Sequence, residues 1–181
     1  MINRRQFLRS ALLGTAGTTL AVGIYARWIE PHWVEVVRRP LPIRGLPEGL
    51  LGRTLVQLSD LHIGPQVDDQ YLIRTMRLVA DLQPDLLVIT GDFISYRPRG
   101  QFEQVNRVLE YLPHGKLATL AVLGNHDYGR GWRRQEVADR LVATVRNHGV
   151  AVLRNMMTSV AGLQIAGIDD RDRRGTLTIL A

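Results

Sequence analysis

From Arg53 onward, short apolar runs alternate with longer stretches in which apolar residues recur every three or four positions. The runs Thr54–Leu58, Leu86–Thr90 and Leu117–Leu123 have the length and continuity of buried strands. Between the first two, Leu72, Met76, Val79 and Ala80 share one face of a helix expected over Asp69–Leu82. Phe102, Val105, Leu109 and Leu112 do the same over Phe102–Leu112, and Val137–Val145 centres a third helix. Short segments near Ala151–Leu153, Met157–Val160 and Gln164–Ile168 then predict a meander, and a last apolar run fills Thr176–Ala181. Alternation of strand and helix implies an α/β fold with a parallel sheet. Sheets of this kind bind ligands at the carboxyl ends of their strands.

Polar clusters stand at three of those ends. Asp60-Leu61-His62 follows the first strand, Gly91-Asp92 the second, and Gly124-Asn125-His126-Asp127 the third. Taken singly each has a plain explanation: Gly-Asp is turn chemistry, and Asn-His-Asp after a strand can cap the next helix. Three in succession, each behind an apolar run, point instead to one rim lined by carboxylate, amide and imidazole. Such donors suit a hard-to-borderline divalent cation.

In order and spacing, D-x-H … G-D … G-N-H-D resembles the first half of the calcineurin-like metallophosphoesterase signature, and the whole chain resembles the bacterial YkuE/YaeI-like subgroup. The resemblance implies a four-layer αββα sandwich and hydrolysis of a phosphodiester or phosphomonoester. Such enzymes use two divalent cations, manganese, iron, zinc or magnesium, roughly 3.5–4 Å apart. Carried over residue by residue, it puts Asp60 and His62 on the first metal, which an extended segment would allow by placing both side chains on one face. It makes Asp92 the bridge, with Gly91 permitting a sharp strand exit, and Asn125 a ligand of the second metal. His126 becomes the proton donor or phosphate clamp, and Asp127 the group that orients its imidazole.

The family closes its site with later histidines, an isolated one and a G-H-x-H pair. This chain has His32, His62, His114, His126 and His148, and no Gly-His-x-His. His114 in Pro113-His114-Gly115 and His148 in Asn147-His148-Gly149 read as helix C-terminal punctuation, with Gly as the left-handed residue. The expectation is therefore a metallophosphoesterase domain over residues 53–181, incomplete at its carboxyl end and holding at most one ion by itself. The alternative from a different class is a noncatalytic, metal-binding remnant of the same fold.

Charge narrows the partners. The net charge is +6. Seven Arg against Glu30 and Glu35 place +5 of it within residues 1–44, leaving +1 for 45–181. Nucleic-acid binding needs a clustered basic face, so a nucleic-acid partner is not expected. Arg130, Arg133 and Arg134 form the one dense patch, which could hold an anionic substrate but reads first as a solvated helix start; Arg171, Arg173 and Arg174 alternate with Asp172 in an exposed turn. The absence of cysteine excludes disulfides and thiolate metal sites.

The amino end reads as an address. Asn3-Arg4-Arg5-Gln6-Phe7-Leu8-Arg9 resembles the twin-arginine export motif, with Asn3 where Ser or Thr is usual. Residues 10–26 follow without a charge. Seventeen residues are short of the roughly 20 that span a bilayer, and Gly and Thr dilute them. Residues 1–26 are thus expected to be an export signal or an uncleaved membrane anchor, and the Pro-rich residues 27–52 a linker. The translocase is then a partner, and the location periplasmic or on the outer face of the membrane. That route carries proteins already folded, which fits an enzyme that selects its metal in the cytoplasm.

Overall fold

The computed structural model describes residues 3–25, 34–96, 99–168 and 176–180. The chain divides into two units, Met1–Pro40 and Leu41–Ala181. The first contains helix α1, Arg4–Ile24, in which Thr18 and Thr19 donate their hydroxyls to the carbonyls of Gly14 and Thr15, four residues back. Leu12, Leu13, Leu20 and Val22 stand exposed on it. No helix among the described residues is long and apolar enough to cross a membrane.

The second unit alternates as expected: β1 (Leu55–Leu58), α2 (Asp69–Asp81), β2 (Leu86–Thr90), α3 (Gln101–Leu109), β3 (Ala118–Val122), α4 (Gln135–Asn147), β4 (Ala151–Val152), β5 (Met156–Val160), β6 (Leu163–Ile168) and β7 (Thr176–Leu180). Strands β1 to β4 form a parallel sheet in sequence order. Strands β5 to β7 form an antiparallel one. Strand residues are apolar on both faces because both faces are covered. Leu87, Ile89, Ala121 and Leu123 meet the helices through Met76, Val79, Val105, Leu109, Leu141 and Val145. Leu86, Val88, Leu120 and Val122 point the other way and pack with Val160, Leu163 and Ile165 of the second sheet. Among the described residues the layers run helix, sheet, sheet, three of the four expected. Fully burying a side chain such as Leu87 is worth about 1.5–3 kcal/mol.

Local chemistry sets the element ends. Asp68 caps α2, its carboxylate accepting from the Gln70 N–H at 3.0 Å. Gly149, at φ 75°, follows His148 at the end of α4, as the punctuation reading expects. His114 differs: Gly115 is not left-handed, and a Cβ there would collide with the Ala118 carbonyl, so that glycine serves close packing. Asp85 locks the strand starts, accepting from the Thr54 N–H at 2.9 Å and from Arg53 at 3.1 Å. The Thr54 bond, with the Arg53 charge, holds its carboxyl below the usual carboxylate range against the cost of burial.

Three expectations change. Ala151–Val152 does not open a meander but adds a fourth strand to the parallel sheet, because Val150 and Val152 pack into the helical core after the α4 crossover. The antiparallel part starts at Met156, where Ala161 and Gly162, both at positive φ, make the tight turn between β5 and β6. Ile73 rather than Ala80 completes the buried face of α2. Within the stretch expected as linker, Ile43, Leu46 and Leu50 already pack against the second cluster. Residues 27–33 of that stretch, and residues 169–175 with the expected Arg-rich turn, lie outside the described residues.

Candidate metal centre

Pairing between β1 and β2 does not stop where the strands stop. Leu55 pairs with Leu86, and beyond the strand ends Ile63 pairs with Ile94, both 31 residues apart. The Asp60, His62 and Ile63 N–H groups donate to the carbonyls of Gly91, Asp92 and Phe93 at 3.2, 2.9 and 2.8 Å. Inside this ladder Asp60, His62 and Asp92 all sit at positive φ, 57°, 44° and 54°. The extended Asp60–His62 segment expected from spacing is therefore absent, since each residue is turned left-handed. Seven described non-glycine residues have positive φ, and three are these. Strain so concentrated is the mark of a functional position.

The turned backbone brings the side chains together. One ligand atom from each of Asp60, His62 and Asp92 lies within 4.8 Å of the others. His62 Nε2 is 3.5 Å from Asp60 Oδ1 and 4.0 Å from Asp92 Oδ2. Donors about 2.0–2.2 Å from a shared ion are at most about 4.4 Å apart, so these two spacings fit one divalent cation.

Each of the three is also tethered on its other side. His62 Nδ1 pairs with Ser95 Oγ at 3.2 Å; with the proton on Nδ1, the Nε2 lone pair faces the carboxylates. Ser59 Oγ donates to Asp60 Oδ2 at 2.5 Å, and the His126 N–H donates to Asp92 Oδ1 at 3.0 Å. One atom of each ligand is spent on positioning and the other is turned inward. Glycines make the approach feasible. A Cβ on Gly91 would lie 2.5 Å from the Gly124 nitrogen, and one on Gly124 would overlap Asp92 Oδ1.

A profile of the Calcineurin-like phosphoesterase family matches residues 53–171. The chain belongs to this family. Among relatives of the phosphoesterase domain, it is 29% identical to the metallophosphoesterase YkuE of Bacillus subtilis, over 99% of this chain and 66% of that protein. It is 36% identical to the UDP-2,3-diacylglucosamine pyrophosphatase LpxG of Chlamydia trachomatis, over 58% of this chain and 32% of that protein. It is 29% identical to the phosphodiesterase YaeI of Escherichia coli, over 89% and 57%. The chain thus spans about a third to two thirds of the length of these relatives. The family binds divalent metals, and the Asp-His-Asp cluster is the candidate site for one among the described residues.

The rest of the Gly124–Asp127 loop stands beside the cluster. Asn125 precedes the 3₁₀ turn His126–Tyr128, and its side chain makes no hydrogen bond among the described residues. The His126 ring meets the His62 ring edge-on, centroids 4.8 Å apart. Asp127 does not take the expected role. Its carboxylate, fully buried, accepts from the Gly124 N–H at 2.9 Å and the Ile94 N–H at 3.2 Å, tying the loop after β3 to the one after β2. Burial pushes it up to about 8, with the Asp92 charge adding and the backbone N–H bonds opposing. His114 and His148 are engaged elsewhere, with Thr119 and Asn106. Arg134 pairs with Glu136 and donates to the Tyr96 hydroxyl, as a helix start would. Ser59 and Ser95 are functional positions that sequence patterning missed; the one available signal is a hydroxyl residue beside each ligand segment.

Proposed function

We propose that the protein is a metal-dependent phosphoesterase that cleaves a phosphodiester or phosphomonoester at the cell envelope. The observation that carries this reading is the set of three inward donors, each fixed by a second bond. Asp60, His62 and Asp92 would hold one divalent cation, manganese being the ion to try first; Asp92 with Asn125 would offer two donors toward a second, too few for this chain to hold it by itself. When bound, such cations supply positive charge to the phosphoryl oxygens and a nucleophile at neutral pH. His126 contributes twice: its N–H fixes Asp92, and its ring, free of hydrogen bonds among the described residues, is available to protonate the leaving oxygen. Asp127 holds the two loops in register beneath it. The activities named for LpxG and YaeI, a pyrophosphatase and a phosphodiesterase, support a substrate with two groups on phosphorus. The paired arginines Arg4 and Arg5 support the envelope location.

The test is hydrolysis of bis(4-nitrophenyl) phosphate. Activity should require added manganese, and Asp92→Asn should abolish it by removing the charge common to both positions. Full activity in that variant, or in excess chelator, overturns the reading.

A further inference from the structure

Beyond His126 the chain makes an unusual turn. Gly129 and Gly131 take φ of 70° and 73°, and Trp132 itself takes 57°, a region that bulky side chains avoid. The turn is pinned by the Trp132 N–H donating to the Gly129 carbonyl at 3.0 Å and the Arg134 N–H to the Tyr128 carbonyl at 2.8 Å. Gly129 is packed against Val137, whose Cγ2 would lie 3.1 Å from an added Cβ. The product of this strain is not a buried indole. Trp132 is 49% exposed, and its ring centroid lies 5.9 Å from that of His126 at a tilt of 54°. From the cluster outward the order is therefore His62, His126, Trp132, with an open aromatic face just past the imidazole.

On the reading given above, a leaving group protonated by His126 lies against that imidazole, and the Trp132 ring, 5.9 Å from it by centroid, is within reach of such a group. We propose that Trp132 seats the leaving group and favours phosphoesters whose leaving group is a flat unsaturated ring. In cleavage, the oxygen of water bonds to phosphorus, the ester P–O bond breaks, and the ester oxygen leaves with its ring and one proton. Arg130 and Arg133, close to Trp132 in sequence, exposed, and in no ion pair among the described residues, add positive charge for an anionic ligand. An indole face binds planar rings by dispersion and quadrupole contact whatever their hydrogen-bond pattern. The seat therefore selects shape, not base identity.

The experiment is calorimetry of the full chain in manganese with phosphonates, whose P–C bond resists hydrolysis. Phenylphosphonate should bind about tenfold tighter than methylphosphonate. Trp132→Ala should reduce that preference to about twofold or less while leaving methylphosphonate affinity unchanged, and Trp132→Phe should keep most of it. Equal affinities in the wild-type chain, no binding of either probe, or an equal loss for both in Trp132→Ala would overturn the seat. So would cyclohexylphosphonate binding as tightly as phenylphosphonate, which would make the site merely apolar. Failure of the hydrolase reading is seen separately, as manganese-independent turnover or full activity of Asp92→Asn on bis(4-nitrophenyl) phosphate.

Discussion

Ser95 shows how much a single hydroxyl can decide. It pairs with His62 Nδ1, orienting the ring, and when Nδ1 carries the proton the Nε2 lone pair is left to face the carboxylates. Ser95→Ala should weaken manganese binding by roughly ten- to hundredfold, read by calorimetry, while the thermal midpoint stays near that of wild type because little packing is lost. The members of the cluster were legible in the sequence, since Asp60, His62 and Asp92 stand directly behind apolar runs. Their tethers were not: a serine near a strand end carries no periodicity to betray it. Asp127 was misread for a different reason. In a 3₁₀ turn successive residues point about 120° apart, so adjacency to His126 sends Asp127 away from the imidazole, inward to the Gly124 and Ile94 amides.

Between elements, the limiting contact is glycine on glycine. The exits of β2 and β3 approach so closely that Gly91 and Gly124 admit no side chain, and the Asp92 carboxylate fills the remaining space. Gly124→Ala should push Asp92 out of line, reducing metal affinity at least tenfold and costing about 1–3 kcal/mol in thermal unfolding. Gly49→Ala, with nothing within 4 Å of its Cβ, should do neither and serves as the control. Strand and helix positions were readable to within a few residues because Leu86–Ile89 and Leu120–Leu123 are apolar without a break. That same continuity concealed which face meets which layer. Leu86 and Leu87 look alike in sequence, yet one packs on the second sheet and the other on the helices. The Ala151–Val152 strand was assigned to the wrong sheet because two residues carry too little pattern to name a partner.

At the scale of the whole molecule, the candidate site lies in the second unit and the paired arginines in the first. If export uses the paired arginines, replacing Arg4 and Arg5 with Lys should leave folded protein in the cytoplasm, as fractionation would show, with the hydropathy of residues 10–26 unaltered. Unchanged translocation would assign the segment to another route or to a plain anchor. The amino-terminal resemblance rests on local pattern alone, a run of seven residues from Asn3 to Arg9. The layering was legible only in outline, since it depends on approaches between residues far apart in the chain, such as Val122 to Gly167.

The ladder that runs on past the strand ends has a consequence for how this domain can change over evolutionary time. Because Ile63 is still paired with Ile94, extra residues in the crossover after Gly64 would lengthen a surface connection and leave the three donors where they are. A single residue gained or lost between Leu58 and Ile63 would instead break the shared pairing and rotate the Asp60 and His62 side chains out of the cluster. Tolerance to insertion and deletion is thus divided at Ile63, with a fixed interval of four residues before it and an adjustable one behind.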